Sequence, residues 1–279
     1  MGALETLYDP VLGADLPLPG ELAALYGRLQ FPEHAGRPYV IGNLASTLDG
    51  VVALDTSGRS KSREISGYHE QDRAVMGLLR AVADAVVVGA GTLRSAPRHI
   101  WTAERIYRPL AGAYRAARQA MRLAEAPLNV FVTARGEVDV GAPVFHTDEV
   151  RSMIVTTVAG LERLRERGLP ASVQGVALPD AEALEAHAVL GAIAPLLASV
   201  RRDATILVEG GPRLLGSFCA QGRLDELFLT LAPQIAGRDG GPQRPGLVAG
   251  VLLAPEHPLW GRLVGVKRSE SHLFLRYVF

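Results

Sequence analysis

Ile206-Leu-Val-Glu-Gly-Gly-Pro-Arg-Leu-Leu-Gly-Ser-Phe218 is a short apolar run that ends in an acid and a glycine pair, then opens into an apolar-periodic segment. The pattern predicts a strand, a tight turn and a helix N-terminus. Consecutive glycines let a backbone approach a ligand closely, and the free N–H groups of a helix start favour phosphate. Glu209 stands at the mouth of that turn, where a carboxylate is out of place if only an anion binds. The stretch therefore reads as a phosphate cradle beside a fixed acid. A plain strand-to-helix turn explains the same glycines.

Two other strand ends look alike. Val86-Val-Val-Gly-Ala-Gly-Thr-Leu-Arg94 finishes a strand at Gly89 and offers the Thr92 hydroxyl. Asn129-Val-Phe-Val-Thr-Ala-Arg-Gly136 finishes a strand at Thr133 and offers a hydroxyl and the Arg135 guanidinium. Ligands of open α/β sheets gather beyond the carboxyl ends of the strands, so three such ends imply one elongated crevice. A hydroxyl and an arginine after a middle strand suit the extra ribose phosphate of NADP, whereas an acid would select the free hydroxyl of NAD. A solvated loop accounts for Thr133 and Arg135 equally well.

Around these stretches strand and helix alternate. Strands are expected at Pro38–Leu44, Ala85–Val88, Leu128–Thr133, Ser152–Thr156, Ser172–Ala177, Leu227–Leu231 and Leu273–Phe279. Helices are expected at Glu21–Leu29, Gln71–Val82, Ala159–Arg167 and Glu182–Leu197, with a long exposed helix at Arg105–Glu125. The alternation predicts an α/β fold with a mostly parallel central sheet, antiparallel C-terminal strands and helices on both faces. Residues 1–36, rich in Pro, Gly and Leu, read as an N-terminal extension over the surface of a single domain at 37–279.

Composition excludes several classes. Lys plus Arg and Asp plus Glu both number 29, so no global charge favours nucleic acid or an acidic membrane. The single Cys219 excludes an internal disulfide and a cysteine-rich metal site, and no His-Glu-x-x-His zinc motif occurs. No apolar run is long enough to span a membrane and no signal-peptide layout is evident, so a soluble, cytoplasmic protein is expected. Gly89-Ala-Gly91 lacks the third glycine of a Rossmann fingerprint, since Arg94 occupies its place, and no Walker loop is present. His69 and His99 lie in polar segments and are expected to face solvent.

Asn43-Leu-Ala-Ser-Thr-Leu-Asp-Gly50, Ile65-Ser-Gly67, Leu78-Leu-Arg80, Val87-Val-Gly-Ala-Gly-Thr92, Leu207-Val-Glu-Gly-Gly211, Gly222-Arg-Leu-Asp-Glu226 and Ala232-Pro-Gln-Ile-Ala-Gly237 follow one another in this order. In order and spacing the chain resembles the reductase domain of the riboflavin-biosynthesis deaminase–reductase over roughly residues 37–279. The resemblance implies a dihydrofolate-reductase-like fold, a homodimer and NADPH as cofactor. It further implies reduction of a phosphoribosylamino-pyrimidine to its ribitylamino form.

Position by position, the resemblance assigns cofactor contacts to Ala45, Thr92, Thr133, Ala134, Arg135 and Gly136, and to Gly210, Gly211, Pro212, Arg213 and Leu214. It assigns substrate contacts to Glu209, Arg80 and Ser66. Glu209 suits the pyrimidine because a carboxylate accepts bonds from adjacent N–H groups. Asp49 is a second catalytic candidate, for proton handling, although Asp-Gly after a strand also makes a simple turn. Lys61 and Arg63 join Arg80 as candidates for the substrate phosphate.

Two departures fall on the substrate side. Arg94-Ser-Ala-Pro-Arg98 stands where the family often has an acidic pair, and Asn43 stands where a lysine is common. The zinc deaminase half has no counterpart, because no His-x-Glu with a downstream Pro-Cys-x-x-Cys occurs. Dihydrofolate reduction and a non-catalytic NADPH-binding module remain the alternative expectations.

Overall fold

Runs of Val, Ile and Leu supply most of the strands, because β-branched side chains are stiff and pack well on a pleated surface. The structure is a computed structural model that describes residues 2–34, 36–54, 61–198, 203–238 and 244–279. Strand β1 is Glu5–Tyr8, β2 Tyr39–Ser46, β3 Ala85–Gly89, β4 Leu128–Thr133, β5 Ser152–Thr157, β6 Gln174–Leu178, β7 Thr205–Val208, β8 Glu226–Leu231, β9 Arg262–Ser269 and β10 His272–Val278. All ten form one sheet in the order β1-β9-β10-β8-β2-β7-β3-β4-β5-β6. From β8 through β6 the neighbours run parallel, while β10, β9 and β1 add antiparallel pairs at one edge.

The helices are α1 Gly20–Tyr26, α2 Lys61–Ile65, α3 Glu70–Val82, α4 Ala90–Ser95, α5 Ala103–Ile106, α6 Ala111–Ala120, α7 Val158–Glu166, α8 Ala186–Ala198 and α9 Pro212–Ala220. They cover both faces of the sheet, as expected. In β3, Val86 and Val88 join the core formed with Leu78 and Tyr114, while Val87 joins the opposite core with Ile193 and Phe218. That division follows from the two-residue side-chain period of a strand. With both faces covered, the parallel strands read as continuous apolar runs rather than alternating ones.

Three expectations are corrected. The helix foreseen at Arg105–Glu125 is broken into α5, a tight turn at Arg108–Leu110 and α6. Pro109 lies in that turn and has no N–H to continue a helical ladder. Nor is α6 an exposed helix. Tyr114 reaches under Gly77 to donate to the Ala74 carbonyl at 2.9 Å, and Arg118 donates to the carbonyls of Arg80, Ala81 and Ala83 at 3.1, 3.2 and 2.8 Å. Strands β1 and β9 went unrecognised, β1 because it is four residues long and exposed throughout, β9 because its buried positions include Lys267 and Ser269. Lys267 of β9 is only 1 % exposed, its ammonium 3.3 Å from Asp9 and 4.8 Å from the Tyr26 ring centre.

The N-terminal segment is built into the domain. Leu4, Leu22, Leu25 and Leu29 sit in the main core, and Arg276 of β10 bridges buried Glu226 at 2.6 Å and the Gln30 carbonyl at 2.8 Å. Burial pushes the Glu226 carboxyl above its ordinary value, and the Arg276 guanidinium opposes that rise. Among the described residues no helix is long and apolar enough to cross a membrane.

Candidate active site

The strands β7, β3 and β4, whose ends were expected to share one crevice, are adjacent in the sheet, but only the ends of β7 and β3 line a common cleft, and Thr133, Ala134, Arg135 and Gly136 beyond β4 stand outside it. Beyond the carboxyl ends of β2, β3 and β7 lies a cleft of about 780 Å³. Ala45, Arg80, Thr92, Glu209, Gly210, Gly211 and Pro212 all line it, so the structure brings together cofactor and substrate candidates from four separate stretches.

Gly210 and Gly211 have different roles. Gly210 sits at φ +93°, a conformation that L side chains avoid, and its carbonyl accepts from Gly89 N–H at 2.8 Å. Gly211 has an ordinary φ of −83° and forms the N-cap of α9 with no side chain bonded there. A Cβ on Gly211 would stand 3.7 Å from Thr92 Oγ1, an ordinary contact, and occupy space between the two loops. The conformational need for glycine thus lies at Gly210, and the open space lies at Gly211. Gly210→Ala is expected to destabilise the fold by about 1–2 kcal/mol, whereas Gly211→Ala leaves Tm unchanged and weakens dinucleotide binding. Calorimetric melting and cofactor titration of both variants check this division.

Glu209 is the centre of a buried ion pair. Arg80 of α3, with 2 % of its side chain exposed, approaches both carboxylate oxygens side-on: Nε to Oε1 at 2.8 Å and Nη2 to Oε2 at 2.6 Å. Nη1 donates to His99 Nε2 at 2.8 Å and to the Thr102 carbonyl at 3.1 Å, and Nη2 also points at Met76 Sδ, 3.7 Å away. A guanidinium has five N–H donors, and these five contacts use them all. Arg80 therefore has no donor left for a substrate, and its part is to hold Glu209. The carboxylate keeps capacity, since two oxygens accept about four bonds and Arg80 takes two.

Other candidates fall elsewhere. Asp49 does not line the cleft. Its oxygens accept from Thr47 Oγ1 at 2.6 Å, Ala236 N–H at 3.1 Å and Gly237 N–H at 2.8 Å. Those bonds, the Thr47 hydroxyl first, pull its carboxyl down to about 2. A carboxylate so held locks a turn and is a poor proton donor, which corrects the catalytic role assigned from sequence. Ser66 is also outside the cleft. It is 1 % exposed, and its carbonyl accepts from His272 Nε2 at 3.1 Å. Arg63 and Asn43 line the cleft, whereas the side chain of Lys61 lies outside the described residues.

Thr133 is buried at the end of β4, and the Ala134 carbonyl accepts from Thr157 Oγ1 at 2.7 Å. Gly136, at φ +66°, packs so closely on α7 that a Cβ would lie 2.3 Å from the Gly160 carbonyl. Arg135 projects outward and pairs with Glu137 at 3.1 Å. Arg94 donates to the Glu137 carbonyl at 2.9 Å beside the β4 loop, while Ser95, Ala96, Pro97 and Arg98 of the same run line the cleft. On α9, neither Arg213 nor Leu214 lines the cleft: Arg213 is exposed and the Leu214 side chain belongs to the core.

His99 was expected in solvent and instead lines the cleft against Arg80. Burial first, then the positive charge of Arg80, pushes its pKa well below the usual imidazole value. The sequence offered no periodic signal for this inward turn, because residues 96–100 form neither helix nor strand.

Comparison with known proteins adds a family. The model of the RibD C-terminal domain matches residues 38–253. A protein of Archaeoglobus fulgidus named 2,5-diamino-6-ribosylamino-4(3H)-pyrimidinone 5′-phosphate reductase is 34 % identical over 207 residues, covering 73 % of this chain and 84 % of that protein. The riboflavin biosynthesis protein RibD of Aquifex aeolicus is 26 % identical over 204 residues, covering 72 % of this chain but only 48 % of that longer protein. Among solved structures, a pyrimidine reductase-like protein of Corynebacterium diphtheriae superimposes with a TM-score of 0.64 at 21 % identity, covering 86 % of this chain and 91 % of the other, and so shares its fold.

Proposed function

Since the chain belongs to the RibD C-terminal domain family, we propose that it is an NADPH-dependent pyrimidine reductase of riboflavin biosynthesis. Its substrate on this reading is a 5-amino-6-(5-phosphoribosylamino)-pyrimidine, reduced to the ribitylamino form. The observation that carries the reading is Glu209, fixed by Arg80 at the wall of the cleft and directly followed by the Gly210–Gly211 turn. One residue step links a group suited to amino-pyrimidine N–H to a backbone suited to phosphate.

The residues present fit a dinucleotide. The groove at Gly211 is space that any side chain would occupy, and the first N–H groups of α9 have no intrahelical partner. Gly210, Gly211, Pro212 and the backbone of Arg213 and Leu214 would hold the phosphates, with the Thr92 hydroxyl opposite and Ala45 at the cleft wall. NADPH, when bound, supplies the hydride. The protein's own work is to orient the substrate. The lone pairs of Glu209 not taken by Arg80 accept pyrimidine N–H, which sets the sugar-derived carbon beside the cofactor. Arg63, which lines the cleft outside the Arg80–Glu209 pair, would receive the substrate phosphate.

The preference for NADPH rests on Thr133, Ala134, Arg135 and Gly136 after β4, none of them acidic, with the Arg135 guanidinium exposed beside Glu137. Arg135→Ala should weaken NADPH binding by about tenfold or more, the value of a charge-assisted contact, and leave NADH binding unchanged. Equal losses for the two cofactors, measured by fluorescence titration, would remove Arg135 from the ribose phosphate. The reading extends to a cytoplasmic homodimer on the strength of the family resemblance, and sedimentation of the purified chain tests the dimer.

A further inference from the structure

His99 lines the cleft and has no part in the scheme above. Its Nε2 lies 2.8 Å from Arg80 Nη1. A guanidinium only donates, so Nε2 must accept and the ring proton must sit on Nδ1. The ring stands edge-on to Trp101, with centroids 4.9 Å apart and planes at 88°. Trp101 packs edge-on against Phe131 at 5.4 Å, and Phe131 against Phe145 at 5.1 Å. This row of close-packed aromatic rings backs the imidazole and fixes its orientation. Every other donor of Arg80 is already engaged, by Glu209, Thr102 and Met76, so His99 completes the set.

We propose that His99 is a positioning residue of the reductase site: as a fixed, neutral acceptor it holds the Arg80 guanidinium square to Glu209, so that the carboxylate's remaining lone pairs stay aimed at the substrate. The charges facing the ring are Arg80 from α3, Arg63 from α2 and Arg105 from α5, the last paired with Glu149. All three oppose a proton on the imidazole. A second proton would also set an N–H against the Arg80 N–H and break the contact.

The kinetic arm of the test rests on the reductase reading, and a spectroscopic arm does not. Nitrogen-15 NMR of the full chain should show the His99 ring neutral, with the proton on Nδ1, throughout the range around the ordinary imidazole pKa of about 6.5. A ring that titrates near that value, or that carries its proton on Nε2, overturns the proposal without any substrate being present.

For turnover, His99→Leu should lower kcat/KM for the pyrimidine by about tenfold or more through the loss of one hydrogen bond to a charged group. NADPH affinity should hold. His99→Gln, whose amide oxygen can accept from Arg80, should recover activity to within about threefold of the wild type. Loss of activity in both variants, or in neither, contradicts the assignment. Where His99→Leu fails to fold, His99→Gln and the NMR signature still decide. A wild-type chain that shows the expected ring signature but reduces no pyrimidine contradicts the reductase reading, while the His99–Arg80 contact stands.

Discussion

Glu209→Gln lowers kcat/KM for the ribosylamino-pyrimidine by about ten- to a hundredfold, the cost of an unmet buried polar group. The substitution keeps the shape but turns one acceptor oxygen into a donor, so an N–H of the substrate meets an N–H of the enzyme. NADPH affinity should hardly change, because the cradle at Gly210 and Gly211 is backbone. The same substitution also lowers stability. Arg80 is 2 % exposed at its side chain, and without the carboxylate its charge is buried unpaired. Breaking such a pair costs about 3–5 kcal/mol, a Tm fall on the order of 10 °C. Glu209 carries both the substrate contact that the family resemblance implies and the ion pair with Arg80. On the proposed function they are one role, because the oxygens that Arg80 orients are the ones that the substrate would meet.

Arg80→Leu produces the second large effect, and a double variant separates its causes. The single change strands the Glu209 carboxylate, whose side chain is 6 % exposed, without its partner, so stability should fall by about 3–5 kcal/mol and activity should collapse. Replacing both partners with Leu removes both charges, and a buried pair exchanged for apolar side chains is often close to neutral in stability. Arg80→Leu with Glu209→Leu should therefore regain most of the lost Tm while remaining inactive. Activity that returns along with stability would show that Glu209 never touches substrate.

The sheet and its ligand-facing edge were legible because β3, β4 and β7 are buried apolar runs with glycine at or within three residues of their ends. Ala85–Gly89, Leu128–Thr133 and Thr205–Val208 lie within a residue or two of where their apolar runs place them. Strand β9 was not legible, since Lys267 occupies an inward position and is neutralised by Asp9, some 258 residues away in sequence. The helix break at Pro109 was readable and was outweighed by the Ala- and Arg-rich periodicity around it. In the site, Glu209 and the glycine pair were readable because chemistry and turn geometry coincide there. The partnership of Arg80 with Glu209 was not, because a contact across 129 positions leaves no local pattern. His99 escaped for the same reason. Its environment is assembled by Arg80 and Trp101, and nothing in Arg98-His-Ile100 marks the ring as buried. Asp49 carried a turn motif and an acid in one tripeptide, and the structure assigns it to the turn.

The central claim is that the Glu209 cleft reduces a ribosylamino-pyrimidine at the expense of NADPH. It is tested most directly by following NADPH oxidation by the purified chain with the phosphoribosylamino-pyrimidine and with dihydrofolate offered separately. The account predicts steady oxidation with the pyrimidine, a ribitylamino product that has gained one hydride and one proton, and little or no oxidation with dihydrofolate. Turnover of dihydrofolate alone, or tight NADPH binding with no turnover of either compound, would contradict it.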